Sequence, residues 1–173
     1  KVIPSYSEIE KLAKEYDIIP VCKEIYADVT TPIALLQKIS RASSRYFLLE
    51  SVEGGEKWGR YSFLGFNPIA CVECKDGVLT IEDTGRKTLR SEKPLRELRN
   101  ILSRYKSPRL PEMPPFAGGF VGYFSYSLYG YAEPKLKLRS SEFNDFSLML
   151  FDKVIAYDHL KQKISIIVNM PAE

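Results

Sequence analysis

A carboxylate and a hydroxyl stand together at the end of an apolar run, and they are the first candidates for chemistry in this chain. Residues 46–49 (YFLL) are all apolar, so both faces of a strand formed by them would be apolar, which predicts a buried strand. Glu50 and Ser51 follow directly. Because a charge at the end of a buried strand is costly without a cation or hydrogen-bond donor, Lys57 and Arg60 across the next loop are its expected partners. The alternative is that the strand simply ends in solvent there.

Other chemically active residue types are scattered along the sequence. The only histidine, His159, lies in a polar segment that favours a simple turn. Cys71 and Cys74 form one C-x-x-C inside a strand-like run, where a separation of three sends the side chains to opposite faces and disfavours zinc. The glycine-rich stretch 116–126 lacks the pattern of a phosphate-binding loop. From its residues alone, the chain is a binding or structural domain.

Composition places the chain among ordinary globular proteins. It has 173 residues, 45% of them hydrophobic, and a net charge of +3, which is too small to imply a polyanionic partner. The basic run 86–109 is expected to be a solvated helix face, since the aromatic residues that stack on bases are almost absent from it. No apolar stretch approaches the roughly 20 residues of a membrane span. We therefore expect a cytoplasmic protein with no nucleic-acid or membrane partner.

The surrounding segments predict an α+β fold built from antiparallel sheets. Helices are predicted over residues 7–16 behind a Ser7–Glu10 capping box, from Pro32 behind a Thr31 cap with Ile33 facing inward, and from 94 to about 105. Strands are predicted at 18–27, 46–49, 69–75, 78–82, 116–126, 146–157 and 163–169. The dipeptide at 76–77 (DG) predicts a tight type I′ hairpin. Strand meanders with about three helices among them are typical of α+β domains.

Two long blocks resemble one enzyme family. The segments LLES (48–51) and EGGEKWGRYSFLGFNP (53–68), and then FAGGFVGYFSYSLYGYAE (116–133), resemble the N-terminal region of anthranilate synthase component I. That protein is the large subunit of the enzyme that commits chorismate to tryptophan biosynthesis. Two long blocks in the expected order are more specific than a short motif. The resemblance covers most of this chain, whereas the chain covers well under half of the family's usual length.

The resemblance implies that residues 1–173 are a single N-terminal regulatory domain, one lobe of the β-sandwich of chorismate-utilising enzymes. The parent enzyme would convert chorismate, with glutamine or ammonia, to anthranilate and pyruvate. Chorismate and Mg²⁺ would be held by a C-terminal catalytic domain, so this chain alone is expected to hold no cofactor and to be inactive. The implied partners are that catalytic domain, a glutamine amidotransferase subunit (component II) and L-tryptophan as allosteric effector. The fragment is also expected to expose an apolar patch that permits self-association.

The same resemblance assigns the tryptophan site to the end of the first apolar run. Leu49, Glu50 and Ser51 would form its N-terminal wall, with Glu50 meeting the ammonium group and Ser51 making one hydrogen bond. Leu49 would pack against the indole ring. The returning strand adds three candidates of lower rank, Arg60, Tyr61 and Ser62. Their alternative role is to pair with the end of the first strand.

The second block departs from the family pattern at two charged positions. Ser127 stands where the family has aspartate, and Gly130 stands where it has arginine. Loss of both charges indicates a pair given up as a unit, so the role in coupling that the family gives to this block is not carried over to this chain, whereas the fold is. Two alternatives stay open: the same domain of an aminodeoxychorismate synthase component I, or a free-standing small-molecule or basic nucleic-acid-binding module. The string WGRYSFLG favours anthranilate synthase.

Overall fold

The computed structural model describes residues 2–50, 59–133, 135–136 and 142–172. The helices are α1 Tyr6–Leu12, α2 Pro32–Ala42, α3 Pro94–Leu102 and α4 Tyr129–Ala132, with a 3-10 turn at Tyr126–Leu128. The strands are β1 Val2–Ile3, β2 Ile18–Tyr26, β3 Tyr46–Leu49, β4 Tyr61–Phe66, β5 Ala70–Lys75, β6 Val78–Glu82, β7 Arg86–Arg90, β8 Gly119–Phe124, β9 Phe146–Phe151, β10 Lys153–Asp158 and β11 Lys163–Pro171. They form two antiparallel sheets, which confirms the predicted α+β class.

The chain divides into two compact units. The first unit comprises Lys1–Pro68, Tyr105–Gly119 and Phe151–Glu173, and the second comprises Ile69–Arg104 and Phe120–Leu150. The sheet of the first unit has the strand order β1-β2-β11-β10-β4-β3. Strand β4 therefore lies between β10 and β3, and it brings together segments that are far apart in the sequence.

Strand β3 is an edge strand, and the prediction that it is buried on both faces was wrong. Among the residues that the structure describes, β4 is its only neighbour, with Leu49 opposite Phe63. Phe47 is buried, but Tyr46 is 38% exposed and Leu49 is 48% exposed. An apolar sequence does not report how many neighbours a strand has, so a half-covered edge was mistaken for an interior strand.

Helix α2 packs on β3 and β4 and begins where its cap predicts. The Thr31 side chain accepts a hydrogen bond from the backbone N–H of Ala34 at 3.2 Å, and Pro32 occupies the first turn. Ile39 is buried, whereas Ile33 was predicted to face inward and is instead 49% exposed. Leu35 packs against a small core formed by Ala27, Tyr157 and Ile164.

Two predicted elements have different boundaries in the structure. Helix α1 begins one residue earlier than predicted and ends at Leu12, because its capping box joins Ser5 and Glu8 rather than the next Ser–Glu pair. The apolar run 146–157 is two strands, β9 and β10, interrupted at Asp152 and belonging to different sheets. Because both strands are largely buried, the hydrophobic pattern carries no sign of the break.

The second unit holds a sheet of order β7-β6-β5-β9-β8. The predicted hairpin at its centre is confirmed, since Asp76 and Gly77 have φ of 50° and 75°, as a type I′ turn requires. The basic run 86–109 contains strand β7 as well as α3, and only the helix was predicted. Helix α3 lays Leu98 on the core of this unit. That core consists of Val72, Cys74, Leu79, Leu98, Phe146 and Leu148.

Two glycines allow close contacts that a Cβ atom would block. A Cβ on Gly65 would overlap the ring of Phe47, which packs edge-on against Phe151 with ring centroids 4.7 Å apart. A Cβ on Gly122 would overlap the carbonyl oxygen of Ser147 on the neighbouring strand. Gly122 therefore lets the backbone of the neighbouring strand come close.

Candidate functional site

Glu50 and Ser62 meet at one end of the edge hairpin formed by β3 and β4. Glu50 follows Leu49, the last residue of β3, and its side chain is exposed. Ser62 lies on β4 and is 1% exposed. The Ser62 hydroxyl donates a hydrogen bond to Glu50 Oε1 at 3.2 Å. A surface carboxylate is therefore oriented by a buried hydroxyl.

The same hydroxyl contacts the only histidine of the chain. Ser62 Oγ lies 2.7 Å from His159 Nε2, although the two residues are 97 positions apart. A carboxylate can only accept and a hydroxyl has one proton, so Ser62 donates to Glu50 and accepts from the Nε2–H of His159. This assigns the tautomer from the hydrogen-bond network. We call the three residues the Glu50–Ser62–His159 relay.

His159 is held in place from several directions. Its backbone N–H donates to the carbonyl of Arg60 at 2.8 Å, and its own carbonyl accepts from Gln162 Nε2 at 2.8 Å. Its ring lies beside Tyr157 with centroids 4.8 Å apart. The sequence favours a simple turn residue at this position. The structure places it in the turn after β10, but with its imidazole directed at a buried hydroxyl.

Arg60 pairs with Asp158 and not with Glu50, contrary to the sequence expectation. Arg60 Nε lies 3.0 Å from Asp158 Oδ1, and Nη2 lies 2.6 Å from Oδ2. The backbone N–H groups of Leu160 and Lys161 also donate to Oδ1, each at 3.0 Å. Burial alone would raise the pKa of Asp158, but the hydrogen bonds from Arg60 and the turn outweigh it and lower that pKa. Lys57, the other expected partner of Glu50, lies outside the described residues.

Tyr61 belongs to an aromatic stack and not to the relay. Its ring stacks on Phe63 with centroids 5.7 Å apart, and the Arg60 guanidinium lies 4.8 Å above it. Burial, followed by the nearby charge of Asp158, raises the pKa of Tyr61. Since adjacent strand residues point to opposite faces, Tyr61 is directed away from the face that carries Ser62.

Of the six residues predicted for the site, the five that the structure describes have different environments. Glu50 and Ser62 are in contact, and Leu49 lies next to Glu50 with 48% of its surface exposed. Arg60 and Tyr61 interact with Asp158 and Phe63 instead. Ser51 lies outside the described residues, so its role remains the one that the resemblance implies.

Sequence reasoning missed Asp158 and His159 as neighbours of the site. Like Glu50 and Ser51, they are two polar residues at the end of an apolar run, and that shared pattern was the available signal. Which strands lie side by side depends on long-range pairing. Here β4 pairs with β10 so that Tyr61 faces Asp158 and Ser62 faces Tyr157.

The described residues do not fit the magnesium ion that the resemblance implies for the parent enzyme. Among residues 2–50, 59–133, 135–136 and 142–172, no three His, Cys, Asp or Glu side chains gather closely enough to hold a metal ion. In the same ranges, no helix has the length and apolar character needed to cross a bilayer.

A second polar cluster, in the other unit, contains Ser127, which stands where the resemblance implies an aspartate. The buried carboxylate of Asp145 accepts hydrogen bonds from Ser127 Oγ and from the Tyr131 hydroxyl, each at 2.7 Å. Cys74 Sγ lies 3.7 Å from Asp145 Oδ2, and burial together with that carboxylate raises the pKa of Cys74 to about 11. An aspartate at position 127 would place a second carboxylate beside that of Asp145, where Ser127 now donates a hydrogen bond. The cluster fixes the segment after β8 to the sheet.

Comparisons with known proteins agree on one relationship. No protein-family profile matches the chain. Anthranilate synthase component 1 of Acetivibrio thermocellus is 44% identical over 170 residues, which cover 96% of this chain and 34% of that protein. The corresponding protein of Acinetobacter calcoaceticus is 35% identical over 175 residues, which cover 95% and 35%.

A solved structure supports the fold. The crystal structure of anthranilate synthase component I from Streptococcus pneumoniae TIGR4 aligns with a TM-score of 0.55 and 24% identity, over 86% of this chain and 32% of that one. The shared name of these proteins does not favour an aminodeoxychorismate synthase or a free-standing binding module. The chain spans about a third of the length of the curated relatives it matches. Along nearly its whole length, this chain is a homologue of anthranilate synthase component 1.

Proposed function

We propose that this chain is the N-terminal, tryptophan-sensing domain of an anthranilate synthase component 1. The parent enzyme would convert chorismate, with glutamine or ammonia as nitrogen source, to anthranilate and pyruvate. The observation that carries this proposal is 44% identity across 96% of the chain to a protein of that name. Chorismate and Mg²⁺ belong to the part of the parent protein that this chain does not span.

The proposed effector site is the end of β3. The Glu50 carboxylate is exposed but oriented by Ser62, and a carboxylate has about four acceptor positions, so capacity is left for an ammonium group. Leu49 offers an exposed apolar side chain beside it for the indole ring. Ser51 supplies one further hydrogen bond by resemblance. The residues of the missing part of the protein complete the pocket.

The proposed partners are the catalytic part of the same protein and the glutamine amidotransferase subunit, component II. An apolar face on β11 suits the first of these. Ile166, Val168 and Met170 alternate along the strand, so they share one face, and they are 40%, 42% and 38% exposed. A face of this kind is typical of a surface that a partner covers, and in the isolated chain it favours self-association.

Product fluorescence tests the activity directly. The full-length parent protein is expected to form anthranilate from chorismate with ammonium salts alone, and with glutamine only when component II is added. The 173-residue chain is expected to form none under either condition. Anthranilate formation by the isolated chain would contradict the proposal that catalysis belongs to the rest of the parent protein. A full-length protein that is inactive with both nitrogen sources would contradict the function itself.

A further inference from the structure

We propose that His159 is a positioning residue of the effector site, which holds the Glu50 carboxylate in place for the ammonium group of an amino-acid effector by acting through the Ser62 hydroxyl. This inference rests on the proposed function, because it needs tryptophan to bind at Glu50. It adds a residue that lies 97 positions from its contact and outside both of the blocks that resemble the family.

The first step of the argument is the burial of Ser62. At 1% exposure, its hydroxyl is closed off from solvent, so protein groups must satisfy it. Glu50 takes its proton, and His159 is the donor to its oxygen. Without that donor the oxygen loses its partner, and the hydroxyl is free to turn away from Glu50. The direction of the bond to Glu50 is therefore set by His159.

The second step is the rigidity of the turn that presents His159. Hydrogen bonds at 2.8 Å fix both its backbone N–H and its carbonyl, and Asp158 closes the turn through the N–H groups of Leu160 and Lys161. Arg60 in turn grips Asp158. The imidazole therefore reaches Ser62 from a preorganised frame, which is what a positioning group requires.

The chemistry of the relay makes a distinctive prediction about substitutions. His159 must donate from Nε2, and both the neutral Nε2–H form and the imidazolium can do so. Glutamine carries an amide N–H₂ at about the same distance from the backbone, so His159→Gln can preserve the bond. His159→Leu keeps the bulk and removes the donor. A purely structural role, filled by packing alone, would rank these two variants in the opposite order.

The test measures tryptophan inhibition and tryptophan binding in the full-length parent enzyme. His159→Leu is expected to raise the Kd and the inhibition constant for tryptophan about fivefold to tenfold, which corresponds to the loss of one hydrogen bond. His159→Gln is expected to keep both constants within about twofold of the wild-type values. Leu160→Ala, which alters a 63% exposed residue of the same turn, is the matched control and should change nothing.

A double-mutant cycle isolates the route through Glu50. In a Glu50→Gln enzyme, adding His159→Leu is expected to weaken tryptophan binding no further, because the carboxylate that His159 positions is absent. If His159→Leu fails to fold, Ser62→Ala replaces it in the same cycle. Additive losses, or equal losses in the leucine and glutamine variants, would overturn the inference. A wild-type enzyme that does not bind tryptophan would instead refute the proposed effector, and this inference would fall with it.

Discussion

Arg60, the residue before β4, and Asp158, the last residue of β10, form a bidentate ion pair, although they are 98 positions apart in the sequence. Nε lies 3.0 Å from Oδ1, and Nη2 lies 2.6 Å from Oδ2. Asp158 is 6% exposed and Arg60 has 25% of its side chain exposed. The pair closes the turn that carries His159. Its loss is therefore expected to affect both the stability of the first unit and the position of the imidazole.

Low pH should destabilise the folded chain by protonating the Asp158 carboxylate. The pKa of Asp158 is lower in the folded chain than its ordinary value, so its stabilising contribution is present above about pH 4 and is lost as the pH falls below that. Asp158→Asn is expected to cost about 2 kcal/mol at pH 7, a loss of roughly 4–8 °C in Tm, and much less at pH 3. Thermal unfolding from pH 3 to 7 measures this, with the exposed Asp28→Asn as control. An equal cost at both pH values would refute it.

Gly65→Ala should destabilise the first unit by overpacking. The new methyl group overlaps the Phe47 ring, which Phe151 and Phe116 hold at centroid distances of 4.7 and 6.3 Å, so the ring has little room to move. We expect a loss of about 1–3 kcal/mol in the free energy of unfolding, measured by denaturant titration. Gly85→Ala is the matched control, because nothing lies within 4 Å of its added Cβ. Equal stability of the two variants would contradict this packing.

Restoring the family's aspartate at position 127 should destabilise the second unit. Ser127→Asp places a carboxylate against the buried carboxylate of Asp145, whereas Ser127→Ala only removes the hydrogen bond of 2.7 Å. We expect the alanine variant to lose about 1.5 kcal/mol of unfolding free energy and the aspartate variant to lose more. Denaturant titration of both ranks them. An aspartate variant as stable as wild type would mean that the cluster rearranges to accept the charge.

Local signals in the sequence predicted local structure well. Thr31 and Pro32 mark the start of α2, and the dipeptide at 76–77 marks a hairpin, because each acts through its own backbone and nearest neighbours. Helix α1 shows the limit of such signals. Two overlapping Ser–Glu capping boxes were available there, and the spacing alone did not choose between them.

The unpredicted features of the candidate site depend on long-range strand pairing. The exposure of Leu49 follows from β3 having one neighbour, and the contact between Ser62 and His159 follows from the pairing of β4 with β10. Neither relationship has a local sequence pattern. Glu50 was a candidate from its position directly after an apolar run, and the resemblance added the ligand that it would meet, before the structure showed which groups orient it.

The central claim is that Glu50 and Ser51, which follow β3 in the sequence, bind the effector. Separate substitutions of each residue in the full-length parent enzyme distinguish their roles. Ser51→Leu is expected to abolish feedback inhibition by tryptophan while anthranilate formation continues. Loss of feedback and catalysis in parallel would count against a separate effector site.

Calorimetric titration of tryptophan into the full-length enzyme, wild type against Glu50→Gln, tests the claim most directly. If the carboxylate receives the ammonium group, the variant loses one charge-assisted hydrogen bond, and Kd rises about 10- to 100-fold. An unchanged Kd in the variant would contradict the assignment of Glu50 to the effector.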